Sequence, residues 1–517
     1  MKKSAVISLS IVAVVLACGG ATAATLIARH NDNLNNPVAS YSVDSKVAAN
    51  SSEGGSSASS SASTPASSTQ SSLSQELVVT DSGVYGIERD QGAYTFHRTD
   101  DAVGLQAGIN GAQNDFDTRG PWALMKYQSV NGNYVVSVPK YYTNETGTKV
   151  SLVKQDDTWH VPAAFLNADG TEKDWFHYGA YPMSLDSSGK AQSMTNVMPR
   201  STITFDQFRT AAAAAGGHVS TYAEYSSIIQ LMSIELGTTH IDDTLEGIRS
   251  QVKITVNKSI QENVANVLYV DDVGDFVEGM PFEILDQNNL AIGWGTIAAV
   301  DDESTKKSIA FSDTTINMAT LISSEASKGH TGDISFRSMG YPNGYLHYHG
   351  RGSIRTTDAI NPKNETLTKA FSYRGIENPY GQYVQWVDGI ASKKVAGGNV
   401  ELLTCKDLTK LSNANASATN AVGYETIATI ESGNLNAWKY VTQWDVNADG
   451  YFYPNAIGSS PVYGKGGLYV ANGDGYFAFF VGANFGNESN PGSGPFLLVG
   501  NYRSSYGDAG RGARLSF

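Results

Sequence analysis

The chain has 517 residues, a formal net charge of −14 and a charged fraction of 17%, together with 52 glycines and 27 tyrosines. This length accommodates two or three domains with at least one full hydrophobic core. Because the charge is negative and no basic cluster interrupts it, nucleic-acid binding is excluded. The two cysteines, Cys18 and Cys405, lie too far apart in chemically different settings to form a disulfide framework or a cysteine zinc site.

Residues 1–28 predict an export segment. Two lysines precede an uncharged, mostly apolar run of 25 residues that Arg29 ends. As a helix this run would extend ~37 Å, enough to cross a hydrocarbon core of ~30 Å. Three outcomes fit: a retained transmembrane anchor, cleavage at the signal-peptidase-like residues 21–23, or lipid attachment at Cys18. All three place the remainder of the chain on the extracellular face of the cell envelope or release it.

Residues 29–77 predict a flexible linker. Between residues 50 and 75 the chain has 13 serines in 26 positions and no aromatic residue, so it cannot form a core. As a coil, residues 29–77 would span roughly 40 Å. A spacer of this kind favours the anchored or lipidated forms over free secretion.

Folded sequence is expected from about residue 78. Alternating apolar residues bounded by turn residues predict strands, for example at 83–87 and 133–142. Residues 244–333 contain several more such runs and predict a small all-β insert of roughly eight short strands.

Two main helices are expected among the strands. The first spans about residues 204–215, behind a cap at Ser201 or Thr202, and the second spans residues 223–236 and ends at Gly237. Short strands, two main helices and the small insert together predict an α+β fold class.

A family resemblance is carried mainly by residues 371–389, which read FSYRGIENPYGQYVQWVDG. This segment resembles the central motif of the formylglycine-generating-enzyme (sulfatase-modifying-factor) subclass of C-type-lectin-like domains. Further segments agree in order along the chain: 98–102, 116–122, 138–142, 172–174, 178–181 and 510–517. The same motifs are similar to those of phage tail-tip adhesins and of variable proteins diversified by retroelements.

The resemblance covers roughly residues 78–240 and 335–517. It implies a C-type-lectin-like domain in two parts, 78–243 and 334–517, with residues 244–333 inserted between them. In diversified relatives the ligand contacts lie in the C-terminal stretch, so the resemblance implies a binding surface there.

The last 67 residues, 451–517, contain 14 glycines and 14 aromatic residues. Rigid aromatic side chains and adaptable polar ones, separated by glycine turns, are typical of recognition surfaces. The alternative is that the stretch only closes the fold, and this is accepted for Phe477, Phe479, Phe480, Phe485 and Phe496. The predicted ligand-binding residues are Tyr469, Ala471, Asn472, Asp474, Tyr476, Asn501, Tyr502, Ser504, Ser505, Tyr506 and Asp508.

No cofactor is expected to be required, and calcium is one metal left open. Asp445, Asn447 and Asp449 alternate before a glycine, like the first half of a calcium loop, but position 12 of such a loop is Ala456 and cannot ligate. A metal-free turn is the other interpretation. The histidines of the 347–349 segment have a spacing that can ligate zinc or copper, without a third ligand nearby.

Catalysis is not expected. Formylglycine-generating oxidases use a cysteine pair, whereas Cys405 is the only cysteine in the folded region, and no serine-hydrolase elbow occurs. We therefore expect a surface-displayed adhesin or receptor-binding protein, diversified by a retroelement if the C-terminal stretch varies. A phage tail-tip receptor-binding protein and an oxidase relative remain the alternatives. The ligand would be a protein or a glycan on another cell or host surface.

Overall fold

A computed structural model describes residues 78–90, 95–248, 253–274, 276, 278, 280–288, 291–312, 314–338, 340–341, 343–344, 346, 353–356, 369–415, 417–458, 466–483, 494–507 and 510–517. The predicted export segment, the whole of the predicted linker and the histidines at 347 and 349 lie outside these residues. Among the described residues, no helix is both long and apolar enough to span a bilayer.

Strands make up most of the regular structure. In chain order they are β1 Tyr85–Arg89, β2 Phe96–Asp100, β3 Lys126–Val130, β4 Asn133–Pro139, β5 Tyr142–Thr143, β6 Lys149–Ser151, β7 Trp175–Pro182, β8 Ser184–Leu185, β9 Ala191–Gln192, β10 His218–Val219, β11 Lys253–Thr255, β12 Val267–Tyr269, β13 Pro281–Leu285, β14 Ala291–Asp301, β15 Ser308–Ser312, β16 Ser335–Ser338, β17 Ile354–Thr356, β18 Phe371–Tyr373, β19 Ile376–Glu377, β20 Val384–Lys394, β21 Val400–Thr404, β22 Glu425–Ile430, β23 Lys439–Val446, β24 Phe452–Gly458, β25 Gly467–Val470, β26 Tyr476–Gly482, β27 Gly494–Tyr502 and β28 Arg511–Ser516. The α-helices are α1 Gly120–Leu124, α2 Phe205–Ala214, α3 Tyr222–Leu236 and α4 Met318–Ser327.

The main sheet has 13 strands among the described residues. Ten of them follow the order β24-β23-β25-β27-β26-β20-β28-β7-β4-β3, with β10 beside β28 and with β21 and β22 extending from β20. Most neighbours are antiparallel, but β25 runs parallel to β27, and β20 runs parallel to β28. Strand β28 lies between β20 and β7, so it joins strands from before and after the insert.

Helices α2 and α3 cover opposite faces of this sheet. Successive side chains of a strand point to opposite faces, and in β26 Phe480 packs with α2 while Phe479 packs in the other cluster with α3. On the α2 side, the ring of Phe205 stacks on Trp386 at 5.1 Å. Nearly every residue of α3 is buried, which is the pattern of a helix enclosed on all sides.

Helix ends follow local capping chemistry. Thr204 caps α2 and Thr221 caps α3, each with a capping box, and Gly237 ends α3 with a φ of 73°. The predicted positions of both helices are confirmed, but the predicted cap at Ser201 or Thr202 is wrong. Thr202 itself has a φ of 64° and lies before the cap.

The α+β prediction with two main helices is wrong. Strands account for 39% of the structure and helices for 17%, so the fold is sheet-rich with few short helices. Residues 384–516 alone contribute nine strands of the main sheet, β20 to β28, several of them buried on both faces.

The insert is also not all-β. Its five strands, β11 to β15, pair with β16, which lies just after the predicted insert, in a separate sheet of the order β11-β16-β13-β14-β15-β12 with a hydrophobic cluster of its own. Helix α4, ten residues long, packs Leu321 and Ile322 against that cluster. The side chain of Asn317 caps α4 by accepting a hydrogen bond from the amide of Thr320 at 3.0 Å.

Glu377 in β19 is a buried carboxyl that holds a neighbouring segment. Its two oxygens accept hydrogen bonds from the amides of Gly344, at 2.9 Å, and Leu346, at 3.1 Å. Burial raises the pKa of Glu377 to about 7, although both amides and the charge of Arg514 act in the opposite direction.

This shift predicts a pH-dependent stability. Because the pKa of Glu377 is about 7 in the folded chain and about 4.3 when unfolded, the folded state binds more protons between those values. The contribution of Glu377 to the free energy of unfolding is therefore largest below about pH 4.3 and is lost as the pH rises to about 7. We expect Glu377→Gln to reduce this loss in urea-unfolding curves measured between pH 4.5 and 7.5.

A matched control is Glu172→Gln, because Glu172 is more exposed and pairs with Lys140 at the surface. An unchanged pH slope in Glu377→Gln, relative to the parent chain, would contradict the prediction.

Candidate functional site

The parallel pairing of β25 and β27 brings the predicted ligand-binding residues together. Val470 is opposite Gly500, so the carboxyl ends of the two strands lie side by side. The amide of Ala471 continues this pairing by donating to the carbonyl of Gly500 at 3.0 Å. Residues 471–472 therefore lie next to residues 501–502.

Aromatic side chains form a surface on the α2 side of the sheet. Tyr469, Tyr502 and Tyr506 are half-buried and pack against the same cluster as α2. Trp438 was not among the predicted ligand-binding residues. It is 50% exposed, and its ring meets that of Tyr469 edge-on at 5.4 Å. Together with Asn472 and Asn501, these four residues are called the C-terminal face.

Arg511 holds the tyrosines of the C-terminal face in place. Its guanidinium carbon lies 4.3 Å from the ring centre of Tyr502, 4.8 Å from that of Tyr506 and 4.9 Å from that of Phe480. The two tyrosine rings stack at 4.0 Å. Burial lowers the pKa of Arg511. Burial also raises the pKa of Tyr506, and the positive charge of Arg511 partly offsets that rise. These contacts fix the rings before any ligand binds, which lowers the entropy cost of binding.

Asparagines connect the Trp438 and Tyr502 parts of the C-terminal face. Asn436 adopts a φ of 53°, and its side chain accepts from the amide of Asn472 at 2.9 Å. The Oδ1 atoms of Asn472 and Asn501 are buried and have no hydrogen-bond partner in the described part of the chain. An unpaired buried acceptor costs about 1–3 kcal/mol, so a donor from water or a ligand would stabilise this surface.

Two predicted ligand-binding residues are buried within the fold. Tyr476 is 3% exposed and packs with Leu403, and Ser504, also 3% exposed, donates to Asp206 at the start of α2 at 2.9 Å. Both positions are occupied by packing or capping contacts, so neither presents its side chain to a partner.

The remaining predicted residues lie at the rim. Asp474 and Ser505 are exposed, and Ala471 is half-buried. Arg503 donates to the carbonyls of Asp474 and Tyr476, which fixes this turn beside the end of β27. Asp508 lies outside the described residues.

The phenylalanines of this stretch belong to the core. Phe477, Phe479, Phe480 and Phe496 are each 8% exposed or less, as the fold-closing interpretation expects. Phe485 lies outside the described residues.

The proposed calcium ligands each have a partner within the protein. Asp445 accepts from Gln443 at 2.9 Å, the side chain of Asn447 accepts from the amide of Tyr451 at 2.9 Å, and Asp449 pairs with Lys406 at 2.9 Å. A lysine at Asp449 already supplies the positive charge that a cation would bring. These contacts favour the metal-free turn between β23 and β24.

Another group of possible metal ligands lies in the insert. Atoms of Asp286, Glu325 and His330 lie within 4.8 Å of one another among the described residues. Glu325 is already paired with Lys328 at 2.7 Å and with His330 at 2.8 Å. Glu325 therefore already has two partners within the protein at the end of helix α4.

Cys405 follows β21 and is buried, with its thiol directed to the carbonyl of Asp407 at 3.4 Å. Burial raises the pKa of Cys405 to about 11. The side chain is therefore a thiol at neutral pH, and a thiol is a poor nucleophile and a poor metal ligand.

No known protein-family model matches the chain, and no curated protein is significantly similar to it.

Proposed function

We propose that the chain is a surface-displayed, non-catalytic ligand-binding protein, an adhesin or receptor-binding protein, whose contact surface is the C-terminal face. The observation that carries the proposal is the set of half-exposed aromatic rings, Trp438, Tyr469, Tyr502 and Tyr506, held on a rigid sheet. Aromatic anchors of this kind supply most of the binding energy in protein recognition surfaces.

The sequence resemblance to retroelement-diversified variable proteins supports the same surface. Residues 371–389 carry that resemblance, and in those relatives the ligand contacts lie in the C-terminal stretch. The predicted export segment and linker at residues 1–77 support display outside the cytoplasm and attachment of the chain to the membrane through its N-terminal segment. The partner is a protein or a glycan on another cell or host surface.

The proposal is tested by display and binding together. Antibodies raised against residues 78–517 should label intact producing cells, and purified full-length chain should bind members of an array of cell-surface proteins and glycans. Ser505→Arg places a long cation at the exposed rim of the C-terminal face, and we expect it to weaken that binding at least about tenfold, or ~1.4 kcal/mol.

The matched control is Ser323→Arg on the exposed side of α4 in the insert. Intact cells that do not stain, or equal binding by the two variants and the parent chain, would refute the proposal.

A further inference from the structure

A cleft of about 250 Å³ opens on the α3 side of the main sheet. It lies on the face opposite the C-terminal face, because Val441 and Val446 of β23 belong to the α3-side cluster. Its walls come from the β1–β2 hairpin, the β5–β6 turn, helix α3 with the segment after it, and strands β23, β24 and β27. The lining residues that carry its chemistry are Phe96, Thr146, His240, Gln443, Trp444 and Asp445.

Aromatic rings form the apolar part of the cleft. The ring of Phe96 meets His240 at 6.0 Å, and Trp444 lies 5.5 Å from Phe496. The indole N–H of Trp444 is buried, and within the described chain it has no acceptor. A buried indole without an acceptor is unusual, because tryptophan N–H groups in protein interiors find a partner.

Neutral polar groups form most of the remaining lining. The hydroxyls of Thr146 and Thr148 lie 2.9 Å apart, and Gln443 donates to Asp445 at 2.9 Å. Only Arg89, His240 and Asp445 among the lining residues carry ionisable side chains. The lining therefore offers several hydroxyl and amide groups beside one arginine, one histidine and one aspartate.

The composition of the cleft discriminates between ligand classes. A phosphate or carboxylate site would concentrate cations, yet this lining holds one arginine and also the carboxylate of Asp445. A site for a lipid chain would be lined by apolar side chains, whereas threonine and glutamine recur here. A neutral polyhydroxylated ring matches both the aromatic and the neutral polar lining of the cleft. Its C–H groups can pack on aromatic faces, and its hydroxyls can form hydrogen bonds with threonine and glutamine side chains.

We infer that this cleft is a binding site for a single neutral sugar ring. Its volume of about 250 Å³ corresponds to room for at least about eight water molecules, at ~30 Å³ each. That space suits one monosaccharide unit, either free or at the end of a longer glycan. The site is separate from the C-terminal face and does not depend on the function proposed for it.

The test uses purified full-length chain and the methyl glycosides of glucose, galactose, mannose, N-acetylglucosamine and N-acetylgalactosamine. Saturation-transfer difference NMR should detect at least one of them bound. Thr146 is exposed at the mouth of the cleft, so Thr146→Arg should block entry and weaken that binding at least tenfold. Gln443→Ala removes an amide from an exposed position and should weaken it several-fold.

Two controls define the outcome. Thr429→Arg makes the same change at an exposed threonine in β22 that does not line the cleft, and Ser505→Arg alters only the C-terminal face. Both should bind the glycoside like the parent chain. The inference is overturned if none of the glycosides binds, if binding survives in Thr146→Arg, or if inorganic phosphate or octanoate binds in a Thr146-dependent manner instead.

Discussion

Replacing Arg374 with methionine is expected to reduce the free energy of unfolding by about 3–5 kcal/mol. Arg374 makes a bidentate ion pair with Glu235, with N–O distances of 2.8 and 2.7 Å. The carboxylate also accepts from Tyr373 at 2.8 Å and from Asn114 at 2.7 Å, and its side chain is completely buried. Removing the guanidinium leaves a buried carboxylate with only neutral donors, and urea unfolding followed by circular dichroism measures the loss.

A double replacement separates the buried charge from lost packing. Glu235→Gln removes the charge. Its amide oxygen can accept from Asn114, and its NH2 group can donate to the hydroxyl oxygen of Tyr373, so the Glu235→Gln/Arg374→Met chain should regain at least half of the lost stability. Lys306→Met, which breaks an exposed pair with Glu262, should cost less than about 1 kcal/mol. Equal costs for Arg374→Met and Lys306→Met would contradict the role assigned to the buried pair.

Trp438→Ala is expected to weaken ligand binding by at least about 30-fold, or ~2 kcal/mol, with little change in melting temperature. The side chain is 50% exposed, so its removal costs the fold little, but it removes the largest ring of the C-terminal face. Biolayer interferometry with the partner identified on the protein and glycan array provides the dissociation constants.

Trp294→Ala is the matched control, because Trp294 is 60% exposed on β14 in the insert and lies away from the C-terminal face. It should bind the partner like the parent chain. A similar loss in both variants would point to a general effect of tryptophan removal and would contradict a specific role for Trp438.

Local signals in the sequence predicted helices α2 and α3 well. The apolar run before Gly237 and the glycines after residue 215 mark helix ends through backbone geometry that neighbouring residues alone determine. Helix α4 was missed because its ten residues lie among strand patterns, although Asn317 is a cap signal. The fold class could not be predicted because the sheet depends on distant pairings, such as Trp386 opposite Phe480.

The candidate site was only partly predicted, because it also depends on pairing between distant strands. The sequence identifies residues that suit recognition, but it does not say which side of a strand each one faces. Tyr476 and Ser504 have suitable chemistry and are nevertheless buried by Leu403 and Asp206. Trp438 was missed because it reaches Tyr469 only through the pairing of β23 with β25.

The position of β28 has a consequence for biosynthesis. Among the described residues, strands β7 and β20 do not pair with each other and are joined through residues 511–516, so the main sheet cannot close until the ribosome has passed residue 516. Late closure of long-range pairs slows folding. The edges of β7 and β20 that face β28 therefore stay unpaired until residues 511–516 have been made.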